Sequence, residues 1–477
     1  MYASEELDRL SALSDSKIFR LVKFILDGFC EIIDLKAAIH PKVRNELPVQ
    51  ARYEYLSVEH IRKILDTDID VDDVVRIFLL VDQAISLMPL SEFNKLVKLS
   101  ESGNVRETVE IVYEWCSKVV RLCSRIRTVD RLYAEDDVKQ DILMVVPSER
   151  QFSVVIGKWD QWLWHQYAYD GSSAPSAKGW LEDVAKVADV LSSEGVRVHV
   201  AVDRGIEELA RSRLHNVNIV TVDIPENMPK IGYVRDQSLT LCKYPILCNM
   251  VLDLRRGEEH VVAEIYSKLG LEPVLRLRWG LEDGRLVRAH AEGGNFVLVR
   301  TGKEYVLFTG SGIRGTNLPA VRILSSILPD NVRIVLIPIV SYIRKWELGA
   351  VHLDVAFTYV GDVHGVKLCL IDSSRVCTYL ALEYDRDRDK LVPIELLRLF
   401  KELDIYIDEP PDIDAVSKST GLNFLNLGKG KLLADAHNHS VNKYLEKQYG
   451  LDVIEIPVPQ FEAGGGGIRC ATRELWL

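Results

Sequence analysis

The fold class expected of this sequence is α/β, preceded by an all-helical N-terminal region. Three observations carry the expectation. Apolar residues up to about position 140 follow helical spacing. From Asp141 onward, short β-rich apolar runs alternate with helical stretches. The order helix-then-strand returns five times in the second part.

In the N-terminal region, Ile18, Leu21, Val22, Ile25, Phe29, Ile32 and Ile33 lie on one helical face. A cleaner stripe runs through Val105, Val109, Val112, Cys116, Val119, Cys123 and Ile126, in steps of four and three. Asn104 precedes it and Glu107 follows three residues on, close to a capping box. Cys116 and Cys123 are therefore expected as small core hydrophobes rather than as a disulfide or a metal site. Pro41, Pro48 and Pro89 punctuate the helices. The polar stretch Tyr133–Gln140, YAEDDVKQ, reads as a linker, so residues 1–140 are assigned to a helical domain and 141–477 to a second, catalytic one.

The second domain opens with Asp141–Pro147, DILMVVP, a buried-strand run. The five recurrences start their strands near Val196, Val274, Val332, Ile405 and Val453. These starts lie 78, 58, 73 and 48 residues apart, too irregular for a fixed-period solenoid. A pseudo-symmetric ring of five units and a doubly wound open sheet both satisfy the pattern. Asp170–Gly179, DGSSAPSAKG, is small and polar and is expected to be a loop over a site.

Composition excludes several classes. With 47% hydrophobic and 27% charged residues the chain is an ordinary globular one. A net charge of −11 makes it a poor non-specific nucleic-acid binder but does not bar small charged ligands. The first ten residues, MYASEELDRL, lack the apolar segment of a secretory signal, and no run of about 18 apolar residues marks a membrane span. The eight cysteines form no CxxC pair, which argues against a zinc ribbon or a thioredoxin-like site. Reduced thiols in a cytoplasmic protein are the expectation.

Four segments carry residue types suited to chemistry. Ala463–Cys470, AGGGGIRC, places a cysteine beside four glycines, where backbone could approach a ligand or adopt positive φ. The alternative is a flexible tail with a buried thiol. In Val351–Gly361, VHLDVAFTYVG, strand alternation would put His352, Asp354 and Ala356 on one face and four hydrophobes on the other. A structural His–Asp hydrogen bond is the plainer reading. In His290–Val299, HAEGGNFVLV, Glu292 precedes a Gly–Gly turn that could equally be a simple solvated turn. In Tyr233–Asp236, YVRD, Arg235 and Asp236 could be no more than a surface ion pair. Taken together, one thiol, one imidazole and three carboxylates suit a planar guanidinium: carboxylates bind its N–H groups in pairs, a thiolate attacks the carbon and an imidazole moves protons.

The order VRD, EGGN, HLDVAF and GGGGIRC resembles the guanidino-modifying penteins, a superfamily built as a five-bladed α/β propeller. Within it the likeness is to arginine deiminases, through HLDVAFT, Leu433–Pro457 (LADAHNHSVNKYLEKQYGLDVIEIP) and the Gly-rich cysteine loop. The resemblance covers about residues 141–477. It implies Cys470 as nucleophile, His352 as general acid/base, Glu292 as the carboxylate paired with that His, and Asp236 and Asp354 as guanidinium ligands. It further implies Arg255 and Arg314 as partners of a substrate carboxylate, with Asn295 and Gly465 near the substrate.

The chain departs from the family at three positions. Gly465 stands where an arginine is usual, as in agmatine deiminases; Lys230 replaces an asparagine; and Asn295 replaces an aspartate. Hydrolysis of arginine to citrulline and ammonia is the implied reaction, with no metal or organic cofactor. Agmatine deimination, amidino transfer to an amine, and guanidino sensing with residues 1–140 as output module are the alternatives. The N-terminal helices are expected to serve packing or homo-oligomerisation.

Overall fold

In a computed structural model, the chain is described at residues 4–37, 55–66, 69–126, 131–152, 175–226, 228, 230–251, 255, 257–282, 285–302, 304–312, 315–339, 342–344, 347–348, 352–411 and 421–477. It divides into two compact units. The first comprises Met1–Asp130, Tyr244–His290 and Asn317–Pro329, and the second Arg131–Lys243, Ala291–Thr316 and Asp330–Leu477. Residues 244–290 and 317–329, which a single cut at residue 140 puts on the catalytic side, belong to the compact unit that holds the N-terminal helices.

The first unit is mainly helical. Its helices include Asp15–Ala37, Val71–Ser86, Leu90–Glu101, Val105–Ile126 and Glu258–Lys268. On Val105–Ile126 the residues Val109, Val112, Cys116, Val119 and Cys123 are all buried, as one apolar face requires. Asn104 caps this helix, its side chain accepting the Glu107 N–H at 3.3 Å. Cys116 and Cys123 are free thiols in the core, and burial pushes the Cys116 thiol up. Pro41, Pro48 and the side chain of Ile126 lie outside the described residues. Among the described residues no single helix is long and apolar enough to cross a membrane.

The second unit repeats one pattern four times: an antiparallel strand pair whose second strand takes a parallel third partner. Phe296–Thr301 and Glu304–Ser311 are joined by Val332–Pro338. Phe357–Val363 and Val366–Ile371 are joined by Ile405–Asp408. Leu425–Gly428 and Lys431–Asp435 are joined by Asp452–Ile456. Arg473–Leu475 and Asp141–Val146 are joined by Arg197–Asp203. In the first unit, Leu275–Arg276 likewise runs parallel to Ile246–Leu247. Each of the five expected strands is thus a parallel partner that follows a helix in the chain. A parallel pair needs such a crossover, whereas a hairpin needs only a tight turn.

Local chemistry explains the pieces. Two of the hairpins turn on His364–Gly365 (φ 54 and 83) and Lys429–Gly430 (φ 55 and 74), the positive-φ pairs that suit strand twist. Asp141–Val146 is buried throughout, as a strand flanked on both sides demands. Helix Ala177–Ser193 starts at Ser176, whose hydroxyl accepts the Gly179 N–H at 3.0 Å. It buries Trp180, Leu181, Val184, Val187, Ala188 and Leu191 on its sheet-facing side. That helix takes in Ala177–Gly179, the end of the segment expected to be a loop; residues 170–174 lie outside the described part.

Tyr133–Gln140 is irregular, as expected, but it is not a solvated linker. Glu135 and Lys139 are buried, and the Tyr133 ring stacks on Trp476 at 3.9 Å between centroids.

Candidate active site

In the second unit, the chemistry-bearing residues share one location: the few residues that lead into the strand at the edge of a sheet. Asp236 lies two residues before Ser238–Leu239. Glu292 precedes a 3-10 turn, Gly293–Asn295, that runs into Phe296–Thr301. His352 precedes a second such turn, Leu353–Val355, that runs into Phe357–Val363. Cys470 stands in the turn before Arg473–Leu475. The alternating strand expected over His352–Phe357 is therefore not formed; the strand begins only at Phe357. The 3-10 turn buries Leu353 and Asp354 together, on what alternation would have made opposite faces.

Two turns interlock to hold the imidazole. His352 Nε2 hydrogen-bonds the Glu292 carboxylate, and His352 Nδ1 lies 3.4 Å from Asp236 Oδ1. Asn295 Oδ1 accepts the Leu353 N–H at 3.1 Å, so it ties one turn to the other. Gly294 permits this approach: a Cβ there would lie 2.8 Å from His352 Nδ1 and 2.9 Å from Asp236 Oδ1.

Cys470 is buried with 6% of its surface exposed. Its N–H donates to Asn423 Oδ1 at 3.0 Å, and its C=O accepts the Arg235 N–H at 3.3 Å. Burial pushes the thiol pKa up, and the negative charges of Asp354 and Asp236 push it further. Asp354 is fully buried. Its Oδ2 accepts a 2.6 Å hydrogen bond from Arg469, while its Oδ1 has no hydrogen-bond partner among the described residues. Burial raises the Asp354 pKa, and the Arg469 charge is the strongest opposing influence.

Beneath these groups runs a buried ionic network absent from the sequence reading. Arg469 makes two 3.0 Å bonds to the Glu135 carboxylate besides its bond to Asp354. Burial alone would raise the Glu135 pKa, but the Arg469 guanidinium holds it below the usual carboxylate range. Arg235 pairs with Glu474 at 2.7 Å, not with Asp236, and is itself buried, so it is no surface ion pair. Around the site, Glu135, Asp236, Glu292, Asp354 and Glu474 accompany Lys139, Lys230, Arg235, Arg469 and Arg473, all of them buried.

The Gly-rich loop owes its composition mainly to packing. A Cβ on Gly464 or Gly466 would run into the Tyr233 ring, and one on Gly467 would lie 2.8 Å from Asn423 Oδ1. Within the four, Gly465 alone has positive φ (86), and it faces open space. Tyr233 hydroxyl donates to the Phe461 carbonyl at 2.7 Å. Lys230 Nζ donates to the Gly464 carbonyl at 2.7 Å, so that cation straps the loop.

Arg255 lies in the other compact unit, buried, with its guanidinium on Glu258 at 2.9 Å. Arg314 lies outside the described residues. Among the described residues no cluster of three or more His, Cys, Asp or Glu could hold a metal ion.

Repeated three-stranded units that present a thiol, an imidazole and carboxylates from their strand lead-ins define an α/β protein with a convergent Cys–His–carboxylate centre. The chain belongs to the arginine deiminase family, whose match spans residues 172–476. It is 22% identical to the uncharacterized protein YkgA of Bacillus subtilis, over 59% of this chain and 82% of that one. It is 26% identical to the arginine deiminase of Borrelia garinii subsp. bavariensis, over 54% of this chain and only 64% of the Borrelia protein. Among solved structures it resembles the dimethylarginine dimethylaminohydrolase of Pseudomonas aeruginosa in complex with citrulline, at 15% identity and a TM-score of 0.44. That likeness covers 71% of this chain and all of the other. It also resembles SxtG, an amidinotransferase from Microseira wollei, at 14% identity and a TM-score of 0.48, over 72% and 96% of the two chains.

Proposed function

We propose that this protein is a guanidino-group hydrolase that converts L-arginine and water to L-citrulline and ammonia. The observation that carries the reading is the His352 imidazole, set between Glu292 and Asp236 while Asp236 and Asp354 act electrostatically on the Cys470 thiol. The guanidinium would lie against Asp236 and the open oxygen of Asp354. Its positive charge offsets the two carboxylates that hold the thiol protonated, so binding itself favours the thiolate. Cys470 gives its thiol proton to His352, and its sulfur bonds to the guanidinium carbon. The C–N bond to the terminal amino group breaks, and that nitrogen leaves as ammonia with a proton from His352. Water, giving a proton to His352, then attacks the same carbon; the C–S bond breaks, citrulline is released and the thiol is restored. Buried donors and acceptors fixed before the reaction begins are what such charge development needs.

The five-bladed propeller belongs to the same proposal. Four strand triplets of one pattern in the second unit, and the parallel pair Ile246–Leu247 with Leu275–Arg276, are the observations behind it.

A second reading, deimination of agmatine, rests on two cations already engaged. Arg255 is paired with Glu258, and Lys230 is bound to the Gly464 carbonyl. Gly465 supplies no charge of its own. Incubation with arginine and with agmatine, with ammonia and the carbamoyl product measured for each, tests both readings. Faster turnover of agmatine would overturn the arginine assignment, and ammonia from neither would overturn the hydrolase reading.

A further inference from the structure

We infer that Asn423 is a positioning residue for the reaction, holding the nucleophile's main chain and the Asp354 turn in fixed relation through one buried carboxamide. The inference rests on the hydrolase reading above and adds to it a residue absent from that mechanism.

Three observations carry it. The first is placement. Asp236, Glu292, Asp354 and Cys470 all stand two to four residues ahead of a strand that forms the edge of its sheet. The edge strand that begins at Leu425 has Asn423 at the same place, two residues ahead. The repeat thus supplies one more polar side chain to the same set.

The second is bonding. Asn423 Oδ1 accepts the Cys470 N–H at 3.0 Å, and Nδ2 donates to the Asp354 carbonyl at 3.4 Å. An N–H on one side and a C=O on the other fix which way the amide points. The Asn423 main chain adds a third tie, its C=O accepting the Arg469 N–H at 3.2 Å.

The third is closeness. Asn423 is buried, and Gly467 must be glycine for the loop to pass its Oδ1. The amide therefore sets how far the thiol-bearing turn stands from the carboxylate that would hold the guanidinium.

The test uses the whole chain with two substitutions. Asn423→Ala removes both bonds. Asn423→Asp keeps the acceptor for Cys470 N–H but sets a carboxylate oxygen against the Asp354 carbonyl and adds a charge near the thiol. A misplacement of about 1 Å costs on the order of 100-fold in rate, so Asn423→Ala is expected to lower kcat by about that factor. KM should change far less, with near-UV circular dichroism unchanged. In Asn423→Asp the limb of the pH profile that reports thiolate formation should move to higher pH, because a nearby negative charge disfavours the thiolate.

A second readout needs no turnover: the pH dependence of Cys470 alkylation by iodoacetamide, followed by peptide mass spectrometry. The same upward move in Asn423→Asp is expected there. Wild-type protein inert toward both arginine and agmatine would refute the hydrolase reading, and the alkylation profile would still decide the role of Asn423. A folded Asn423→Ala variant with wild-type kcat, or an alkylation profile of Asn423→Asp that coincides with wild type, would overturn the inference.

Discussion

At the scale of single residues, burial governs the chemistry. Cys470 is held from water with its pKa raised, so the free protein carries a thiol rather than a thiolate near neutral pH. Cys470→Ala should release no ammonia from arginine while unfolding like wild type, because the bonds at this position come from its main chain. Ammonia release by the variant would refute covalent catalysis through this thiol. Arg469 is the next test. It pairs with both Asp354 and Glu135, and all three are buried. Replacing it by Met leaves two carboxylates facing each other without their cation, and breaking such a pair typically costs about 3–5 kcal/mol. Urea unfolding should report a loss of that size; a loss below about 1 kcal/mol, the range of exposed pairs, would mean the network is looser than its geometry. Neither Glu135 nor Arg469 stood out in the sequence. Glu135 sits in a run of charged residues that reads as solvated, and its counter-charge lies in the far C-terminal part of the chain.

The elements that carry these residues are short. A 3-10 turn of three residues presents Glu292 and another presents His352, and each is made close-packed by a neighbour from the other. Gly294→Ala would push a methyl group against both the imidazole and Asp236. Overpacking of this kind costs about 1–3 kcal/mol, and the displacement falls on the proposed acid/base. Turnover should therefore fall far more than thermal stability; equal, small effects on both would show that the turn yields instead.

A third turn, Ala436–Asn438, is capped by Asp435. Burial first, and then the nearby Glu462 carboxylate, push Asp435 up to about 7 from an ordinary value of 3.8. Folding thus favours the protonated acid. Its contribution is full below about pH 4 and is lost as pH rises through 7. His437, raised by its bond to Glu462, loses its contribution in the same direction and is common to both proteins compared. Asp435→Asn removes the titration, so its melting temperature relative to wild type should climb from pH 5 to pH 8. A difference independent of pH would contradict the assignment. The EGGN motif was legible as a turn, and the structure has one there, but HLDVAF was legible only as chemistry. Alternation of residue types predicts a strand at His352–Phe357, and only packing against Asn295 shows the tighter coil.

For the whole molecule, strand and helix signals were local and survived translation into structure. The five expected strand starts are five parallel partners. The capped stripe from Val105 is a helix with a buried face. What could not be read was any feature that depends on chain return. Residues 244–290 and 317–329 look like more of the same alternation, yet they belong to the compact unit of the N-terminal helices. Arg255 is in that unit, which is why its spacing after Asp236 says little about its surroundings. Asn423 was passed over for the opposite reason: a lone asparagine before a strand carries no chemical signature, and only comparison with the other edge strands gives it one.

The pairing of Arg473–Leu475 with Asp141–Leu143 has a consequence in time. Contacts between segments so far apart in the chain form late, since loop closure must come before any gain from pairing. Cys470 lies three residues from that strand, so its shelter depends on one of the slowest steps available to this chain. Cys116 belongs to a helix whose packing neighbours are mostly nearer in sequence, and its thiol lies on the Leu80 carbonyl. During refolding from urea, pulses of alkylating reagent should find Cys116 protected before Cys470. Protection of Cys470 before or together with Cys116 would exclude that order. The order implies that the proposed nucleophile acquires its environment only in a finished molecule, so that partly folded chains carry an ordinary thiol in place of a catalytic one.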